Sequence, residues 1–176
     1  MSPGGWEPSD WRSVEENVSS LVAEGWMLVT PGAPGRWNTM TASWGGFGHL
    51  WNMDMAFVFV RPSRHSYGFM EREEGFTLSF FGEEGRRALE ICGSVSGRDV
   101  DKAKAAGITP RPFAAARSAA PRVGFEEARL VLSCRKVYAQ DIDPSLFLDP
   151  AISLQYPKGD VHRLFMGAIE GAWMRG

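Results

Sequence analysis

The sequence is poor in the motifs that mark metal sites and the commonest catalytic sites. It has two cysteines, Cys92 and Cys134, without a CxxC spacing, and three histidines without an HxH, HExxH or HxxxH spacing. Zinc and iron sites are built from such spacings, so we expect no metal site and interpret the cysteines as reduced, buried thiols. The chain also lacks GxSxG, GxGxxG and GxxxxGKS/T motifs, and so gives no support to a hydrolase, a dinucleotide-binding fold or a P-loop protein.

Charge and hydropathy argue against two further classes of partner. With 19 Lys and Arg residues against 21 Asp and Glu residues, the formal net charge is -2, which provides no basic field to attract nucleic acid or an anionic membrane. No apolar run approaches the roughly 18 residues that a membrane span needs. The first residues, MSPGGWEPSDW, lack the basic and apolar regions of a signal peptide. We therefore expect a cytoplasmic protein that binds neither nucleic acid nor membranes.

Length and periodicity predict a single domain, residues 1–176, that is mainly β with helices on the outside. A chain of 176 residues can bury a core without disulfides. Alternating or continuous apolar residues predict strands at 26–30, 38–41, 55–60, 76–81, 127–140 and 162–173. We expect a bulge near Lys136, which interrupts the apolar face of its strand. Strands in such numbers favour a closed antiparallel barrel.

Helical spacing and capping residues predict four helices. The first is capped by Ser9 or Asp10 and ends at residue 25, the second is capped by Ser63 and ends at 73 or 74, and the third covers 83–92. The fourth is capped by Ser96 and is closed by Gly107. Prolines and glycines predict loops at 31–35 and 45–48. Residues 109–122 are interpreted as an ordered surface excursion, with a linker as the alternative.

Residues 36–64 have the composition of a site for a flat, polar-edged ligand that carries a phosphate. Thr, Ser and Asn side chains at 38–43 precede three glycines, and an apolar run at 55–60 is closed by Arg61-Pro62-Ser63-Arg64. Small residues let the backbone approach a ring, and an arginine pair neutralises a phosphate. The helix start beyond Ser63 is a natural anion site because its free N–H groups point outward. By composition alone, these residues are more typical of a polar edge strand followed by two solvated arginines.

The sequence in and around this stretch resembles one protein family. The words NTMTASWG, WNM, AFVFVRPSR, FTLSFF and CGSVSGRDVDK are similar to the FMN-binding split-barrel proteins of the flavin reductase and flavoredoxin kind. The resemblance covers residues 26–104, with a weaker similarity from GDVH at 159–162 to Gly167. It implies an FMN-binding split β-barrel that forms a homodimer with the flavin near the subunit interface. Two positions depart from the family pattern: Asp54 stands where proline is usual, and His65 where an aromatic residue is usual.

The resemblance also implies which residues hold FMN. Residues 38–44 would lie along the isoalloxazine ring, with Trp44 covering the ring or packing under the loop. The start of the second helix would hold the phosphate, and Arg61 would join it there or form a structural ion pair. The SGRDVDK word would hold the phosphate or the ribityl chain, or would be a helix cap with exposed charges. The expected cofactor-binding residues are Asn38, Thr39, Met40, Thr41, Ala42, Ser43, Trp44, Arg61, Ser63, Arg64, Ser66, Tyr67, Ser94, Ser96 and Lys102.

Two kinds of activity are compatible with this resemblance. The first is a flavin reductase, in which NAD(P)H delivers a hydride to bound FMN and electrons pass to an acceptor. His162 is then the candidate catalytic residue near the flavin face, although a structural histidine fits the sequence as well. The second is a flavoredoxin-like electron carrier that meets a redox partner protein, and a flavin-binding module without turnover is a third possibility.

Overall fold

Eleven strands and four helices build the structure, a computed structural model that describes residues 5–118 and 120–176. The strands are β1 (Trp6–Ser9), β2 (Met27–Ala33), β3 (Arg36–Trp37), β4 (Met40–Ala42), β5 (Gly45–Leu50), β6 (Met53–Val60), β7 (Gly75–Phe80), β8 (Pro110–Phe113), β9 (Arg122–Phe125), β10 (Leu130–Asp141) and β11 (Arg163–Arg175). The helices are α1 (Val18–Ala23), α2 (His65–Arg72), α3 (Arg86–Ser94) and α4 (Lys102–Ala106). Short 3-10 turns lie at Trp11–Ser13, Glu83–Gly85, Pro144–Leu146 and Pro150–Gln155.

Nine of the strands form one antiparallel sheet in the order β3-β2-β7-β10-β11-β6-β5, with β4 paired to β2 and β1 paired to β11. Strands β8 and β9 form a separate ribbon. The long central strands β10 and β11 slip in register twice, between Ser133 and Cys134 and between Lys136 and Tyr138. The predicted bulge near Lys136 and the predicted mainly β class with peripheral helices are therefore confirmed.

The main core lies inside the curved sheet. Fully buried side chains from β2, β6, β7, β10 and β11 meet there, and the largest of them include Phe76, Phe80, Phe165 and Leu132. A second cluster packs α3 and the β8–β9 ribbon against the sheet through Leu89, Phe113 and Phe125, among others. The helices therefore lie outside the strands. Helix α3 is apolar on one side only, which is typical of a helix packed on the surface of a sheet. Of the described helices, none is long and apolar enough to cross a membrane.

The predicted helix at residues 9–25 is wrong in its first half. Trp6–Ser9 pair instead with the end of β11, and helix α1 begins only after Asn17, whose side chain accepts a hydrogen bond from the Ser20 amide at 3.1 Å. Trp11 nevertheless packs on Phe47, with ring centroids 4.4 Å apart. The helical spacing of Trp11 and Val14 was misleading, because residues 11–13 form only a 3-10 turn and both side chains still pack against the core.

The predicted glycine loop at 45–48 is also wrong, because Gly45–Leu50 form β5 and pair with β6. Trp51 and Asn52 connect the two strands with φ of 53° and 56°, the left-handed pair of a type I′ hairpin turn. Glycines carry no strand propensity, so pairing with the apolar β6 decides the conformation here. The predicted loop at 31–35 is wrong in part for a similar reason, because β2 continues through Pro31 to Ala33 and pairs with β3.

Two predicted helix caps are wrong. Arg64, not Ser63, is the N-cap of α2, and it makes no side-chain capping bond. Asp101, not Ser96, caps α4, by accepting from the Lys104 amide at 3.1 Å, while Gly107 closes the helix with φ of 68° as predicted. Both serines are engaged elsewhere: the Ser63 hydroxyl bonds Asp160, and the Ser96 hydroxyl accepts from the Arg98 amide at 3.2 Å. Within residues 109–122, Pro110–Phe113 form β8, which pairs with β9 from Arg122 onward.

Candidate functional site

Two adjoining cavities that share Met40 and Arg64 form one groove beside β4. The first, of about 230 Å³, we call the β4 cavity; it is lined by Met40, Thr41, Ala42, Ser43, Trp44, Phe59, Arg61, Arg64 and His162. The second, of about 130 Å³, we call the α2 cavity; it is lined by Met40, Ser63, Arg64, His65, Ser66, Ser94, Val95, Ser96, Arg98 and Lys102. Most of the predicted site residues therefore meet in one groove.

Residues of β4 line one side of the β4 cavity. Within the described chain, β4 pairs with β2 along one edge and has no strand on the other. The Thr41 hydroxyl bonds the Leu89 carbonyl of α3, so this side chain is already used. Free peptide N–H and C=O groups along Met40–Trp44 can therefore meet the polar edge of a flat ligand.

Three predicted residues lie beneath the groove and line neither cavity. Thr39 is fully buried, and its hydroxyl lies 2.8 Å from that of Thr30. The Asn38 amide donates to the Ser66 hydroxyl at 2.7 Å. Tyr67 packs edge-on against Phe165, with ring centroids 6.1 Å apart. These side chains position β4 and α2 relative to each other, and they do not face the space that a ligand would fill.

The loop before α4 packs directly on this support. A Cβ built on Gly97 would lie 2.0 Å from Asn38 Oδ1, so no side chain fits at position 97 without moving the Asn38 amide. Asn38 therefore links three parts of the α2 cavity: the strand region of β4, the first turn of α2 and the 95–101 loop.

One wall of the β4 cavity is aromatic. The rings of Trp44 and His162 have centroids 5.0 Å apart, and Trp44 is 43% exposed. The Tyr156 hydroxyl lies 2.9 Å from His162 Nδ1, and Phe147 stacks on the Tyr156 ring at 6.0 Å. This wall offers a flat apolar surface beside an imidazole.

His162 is neutral at physiological pH. Burial, together with the charges of Arg61 and Arg64, lowers its pKa to about 4 against the opposing charge of Asp160. Desolvation and like charges both disfavour an imidazolium. Its ring can therefore accept or donate a hydrogen bond but holds no second proton near pH 7.

Arg61 is tied to the loop that carries this aromatic wall. Its guanidinium donates to the carbonyls of Asp160 and Gln155 at 3.2 and 3.1 Å and lies 5.1 Å from the centre of the Tyr156 ring. Ser63 holds the same loop, because its amide donates to Asp160 Oδ1 at 3.2 Å. Both residues border the groove, and both also fasten residues 155–160 to the start of α2.

The α2 cavity is basic. Arg64, His65, Arg98 and Lys102 line it, and no carboxylate does within the described residues. Helix α2 begins at this cavity, and no side chain caps its first N–H groups. Positive charge and free N–H groups in one small cavity are the requirements for binding a phosphate.

Lys102 is the most unusual of these cations, because it is 6% exposed and donates to a carbonyl, that of Cys92, at 2.7 Å. Arg64 donates to the neighbouring Gly93 carbonyl at 3.1 Å. Both cations thus cover the C-terminal carbonyls of α3. Burial lowers the pKa of Lys102, as does Arg64, while Cys92 opposes the shift. A buried ammonium without a counter-charge is costly unless an anion joins it.

The two departures from the family pattern have different surroundings. Asp54 lines neither cavity; its carboxylate pairs with Arg12 at 2.8 and 3.0 Å and with His49 Nδ1 at 3.0 Å. His65 lines the α2 cavity as the first residue of α2. Asp54 therefore belongs to the attachment of the N-terminal segment, and His65 to the groove.

Sequence reasoning missed Phe59 as a lining residue of the β4 cavity and Tyr156 as the hydrogen-bond partner of His162. Phe59 belongs to an apolar run that predicts only a buried strand. Tyr156 lies in an irregular segment, and only its nearness to the GDVH motif at 159–162 could have drawn attention to it. Among the described residues, no cluster of three His, Cys, Asp or Glu side chains is placed to hold a metal ion.

Comparisons with known proteins give one matching family and several similar structures. The sequence model of a family described as flavin reductase like domain matches residues 19–176. The chain is similar to an FMN-binding domain of a flavin reductases-like enzyme from Shewanella baltica, with a TM-score of 0.66 and 20% identity over 99% of this chain and 80% of that one. It is also similar to the flavoredoxin of Desulfovibrio vulgaris, with a TM-score of 0.64 and 20% identity over 94% of this chain and 76% of that one. A third similar structure is an NADH:FAD oxidoreductase of Streptomyces globisporus, with a TM-score of 0.60 and 17% identity over 86% and 75%.

Comparison with curated protein sequences finds no match. The family match and the structural likenesses confirm the predicted FMN-binding split β-barrel fold.

Proposed function

The chain belongs to the flavin reductase-like domain family, and from that premise we propose that it is an oxidoreductase that binds FMN along the groove. The β4 cavity would take the isoalloxazine ring and the α2 cavity the phosphate. The hydride donor would be NAD(P)H, and the electrons would pass to an acceptor such as a second flavin or a protein. The similar structures include proteins described as a flavoredoxin and as an NADH:FAD oxidoreductase.

The observation that carries this proposal is the buried Lys102 in a cavity without carboxylates. Its ammonium reaches a carbonyl, and the neighbouring Arg64 reaches another. A phosphate monoester would supply the missing negative charge to both cations and would accept from the uncapped N–H groups of α2. The residues present therefore fit the phosphate of FMN, with Ser66, Ser94 and Ser96 as further hydrogen-bonding groups on the same cavity.

The backbone along Met40–Trp44 fits the other end of the ligand. When bound, FMN supplies the two-electron redox chemistry of the proposed reaction. The protein's part is to hold the ring, hydrogen-bond its heteroatoms through the unpaired edge of β4 and limit access of water. Such hydrogen bonds tune a bound ring's reduction potential, because they favour one charge state over another.

His162 would act at the open face of the groove as a neutral hydrogen-bonding group. Where the Tyr156 hydroxyl donates to Nδ1, the proton of the imidazole is on Nε2, and that nitrogen is the donor left for a ligand. With a pKa of about 4, the imidazole is not protonated at pH 7 and does not act as a general acid there. We propose that His162 and Trp44 orient the nicotinamide or the electron acceptor.

The experiment that tests this function is visible absorption of the purified protein, with and without NADH in the absence of oxygen. We expect flavin bands near about 370 and 450 nm, either as purified or after addition of FMN and gel filtration, and bleaching by NADH or NADPH. Bands that persist with both nucleotides would favour a flavoredoxin-like carrier. A protein that stays colourless after exposure to FMN would contradict the proposal.

We also propose that two copies associate through the outer face of β6 and β11. Met55, Met166 and Ala168 are buried there beneath partly exposed Met53, Phe57, Val137 and Leu164. Because alternate residues of a strand share a face, Phe59 continues this surface to the β4 cavity. Leu146, Leu148 and Leu154, which are 70%, 100% and 78% exposed, add apolar surface in the loop between β10 and β11. A second copy on this face would complete the open side of the groove.

A further inference from the structure

His65 is placed to interact with whatever anion enters the α2 cavity. It is the first residue of α2 and lines that cavity between Arg64 and Ser66. Its ring packs edge-on against Phe69, with centroids 5.4 Å apart and planes at 83°. This contact fixes the imidazole on the side of α2 that faces the 95–101 loop and α4.

Charges from three elements surround this imidazole. Arg64 and Arg72 lie at the two ends of α2, Arg98 and Asp99 belong to the 95–101 loop, and Lys102 begins α4. Asp99 is the one acid that opposes these cations at His65. Burial, and then Arg98, Lys102 and Arg72, lower the pKa of His65 below its ordinary value. The imidazole is therefore neutral at pH 7 while the cavity holds only these groups.

We propose that His65 is a further phosphate-binding residue, one that takes up a proton from the solvent when a doubly charged phosphomonoester enters the α2 cavity. This inference rests on the proposed function. A dianion placed among Arg64, Arg98 and Lys102 reverses the local potential that keeps the ring neutral, because an opposite charge within about 4–6 Å favours the charged form of a group. The proton then adds a charge-assisted hydrogen bond to the phosphate.

The consequence is that the preference of the protein for FMN over riboflavin depends on pH. FMN, a phosphomonoester, gains this contact, and riboflavin, which has no phosphate, does not. Since binding takes up a proton, FMN affinity rises as the pH falls from about 8.5 to 6.5. Below about pH 6 the phosphate itself becomes protonated, which works in the opposite direction.

The test is isothermal titration calorimetry of FMN binding near about pH 7 in two buffers of different ionisation enthalpy, which counts the protons taken up. We compare the full-length protein with its His65→Gln variant, and with His65→Phe as a second variant that keeps the contact to Phe69. The wild type should take up a larger fraction of a proton per FMN than either variant, and its affinity should fall more steeply with rising pH, by up to about tenfold per pH unit for one linked proton. Riboflavin should show no difference in proton uptake.

Equal proton uptake by wild type and both variants, with FMN still bound, would overturn the role of His65 alone. Absence of FMN binding to all three proteins would instead contradict the proposed function. A readout without any flavin is the nuclear magnetic resonance titration of the His65 ring with inorganic phosphate. The pKa of the ring should rise as phosphate is added, and an unchanged pKa at saturating phosphate would contradict the inference.

Discussion

The hydroxyl of Tyr156 lies 2.9 Å from Nδ1 of His162. Tyr156 is in turn held by Phe147 on one side and by the guanidinium of Arg61. The orientation of His162, which borders the β4 cavity, therefore depends on a loop whose described structure is irregular apart from two 3-10 turns.

Replacing Tyr156 with Phe tests whether this bond positions His162. The variant keeps the ring that Phe147 and Arg61 contact and loses the hydroxyl alone. We expect FMN affinity within about twofold of wild type, because the change removes no charge from the α2 cavity, and a fall in kcat with NADH of about fivefold or more, since a lost neutral hydrogen bond corresponds to about 1 kcal/mol. Equal kcat values in steady-state assays would show that His162 needs no such support.

The low pKa of His162 predicts an acid-sensitive fold. An unfolded histidine binds its proton near pH 6.5 and the folded one only near pH 4, so between these values the unfolded state holds more protons and stability falls as the pH falls. We expect wild type to lose roughly 2–3 kcal/mol between pH 7 and 4.5 relative to His162→Asn, on the scale of 1.36 kcal/mol per pKa unit. Urea denaturation of both proteins at the two pH values measures the difference. Equal losses of stability in the two proteins would show that a group other than His162 takes up the proton that destabilises the fold.

Arg64→Ala should weaken FMN binding by about 1.5–3 kcal/mol, the usual value of a hydrogen bond to a charged group. Riboflavin binding should change far less, because it places no phosphate in the α2 cavity. Arg117→Ala is the matched control, since Arg117 is exposed and lines neither cavity. Fluorescence titration measures both ligands. An unchanged FMN affinity in Arg64→Ala would remove Arg64 from the phosphate site.

Gly97→Ala should damage the site more than the fold. The added methyl group would lie 2.0 Å from Asn38 Oδ1, so the Asn38 amide must move away from the Ser66 hydroxyl. We expect FMN affinity to fall by about tenfold, with a loss of stability of about 1–3 kcal/mol for the overpacked contact. Gly46→Ala is the control, because a Cβ there meets no atom within 4 Å. A Gly97→Ala protein with normal affinity would show that Asn38 is dispensable for the cavity.

The proposed association of two copies predicts a dimer in analytical ultracentrifugation. Leu148→Asp combined with Leu154→Asp places charges on the most exposed apolar side chains of the loop between β10 and β11, and it should yield a monomer with a normal far-ultraviolet spectrum. Val18→Asp, an exposed apolar position on α1, is the control and should stay dimeric. A wild-type protein that sediments as a monomer at all concentrations would contradict the proposal.

Much of the groove could be predicted because its residues are close together in the sequence. Met40–Trp44 and Arg64 stand in recognisable words, and the structure brings them to the same groove as Lys102. Phe59 and Tyr156 could not be assigned, since their places depend on how β6 and the loop before β11 fold over β4. Asp54 departs from the family pattern within the segment expected to bind the cofactor. The structure explains this residue by its ion pair with Arg12, which lies 42 positions away in the chain.

Predictions of secondary structure from apolar patterns were accurate. They were wrong where backbone pairing between strands outweighs the propensity of the residues. The strand predicted at 127–140 is found at Leu130–Asp141, because alternating apolar residues face the core there. The glycines of β5 had no such pattern, and their strand exists because β6 offers its edge. Ser63 and Ser96 have the side chains of good caps, but the neighbouring Asp160 and the Arg98 amide take up their hydroxyls.

The N-terminal strand β1 covers an edge of the sheet at which strands of other chains could otherwise pair. Strand β11 pairs with β10 along its length, whereas β6 covers its other side only over Arg163–Ala168. Trp6–Ser9 pair with Ala172–Arg175 and occupy the edge that β6 leaves open. An exposed edge of this kind recruits strands from other chains, and Pro8 on the outer strand lacks the N–H needed to extend the sheet further. Strand β1, which precedes the family match, therefore covers a sheet edge that would otherwise be open to strands of other chains.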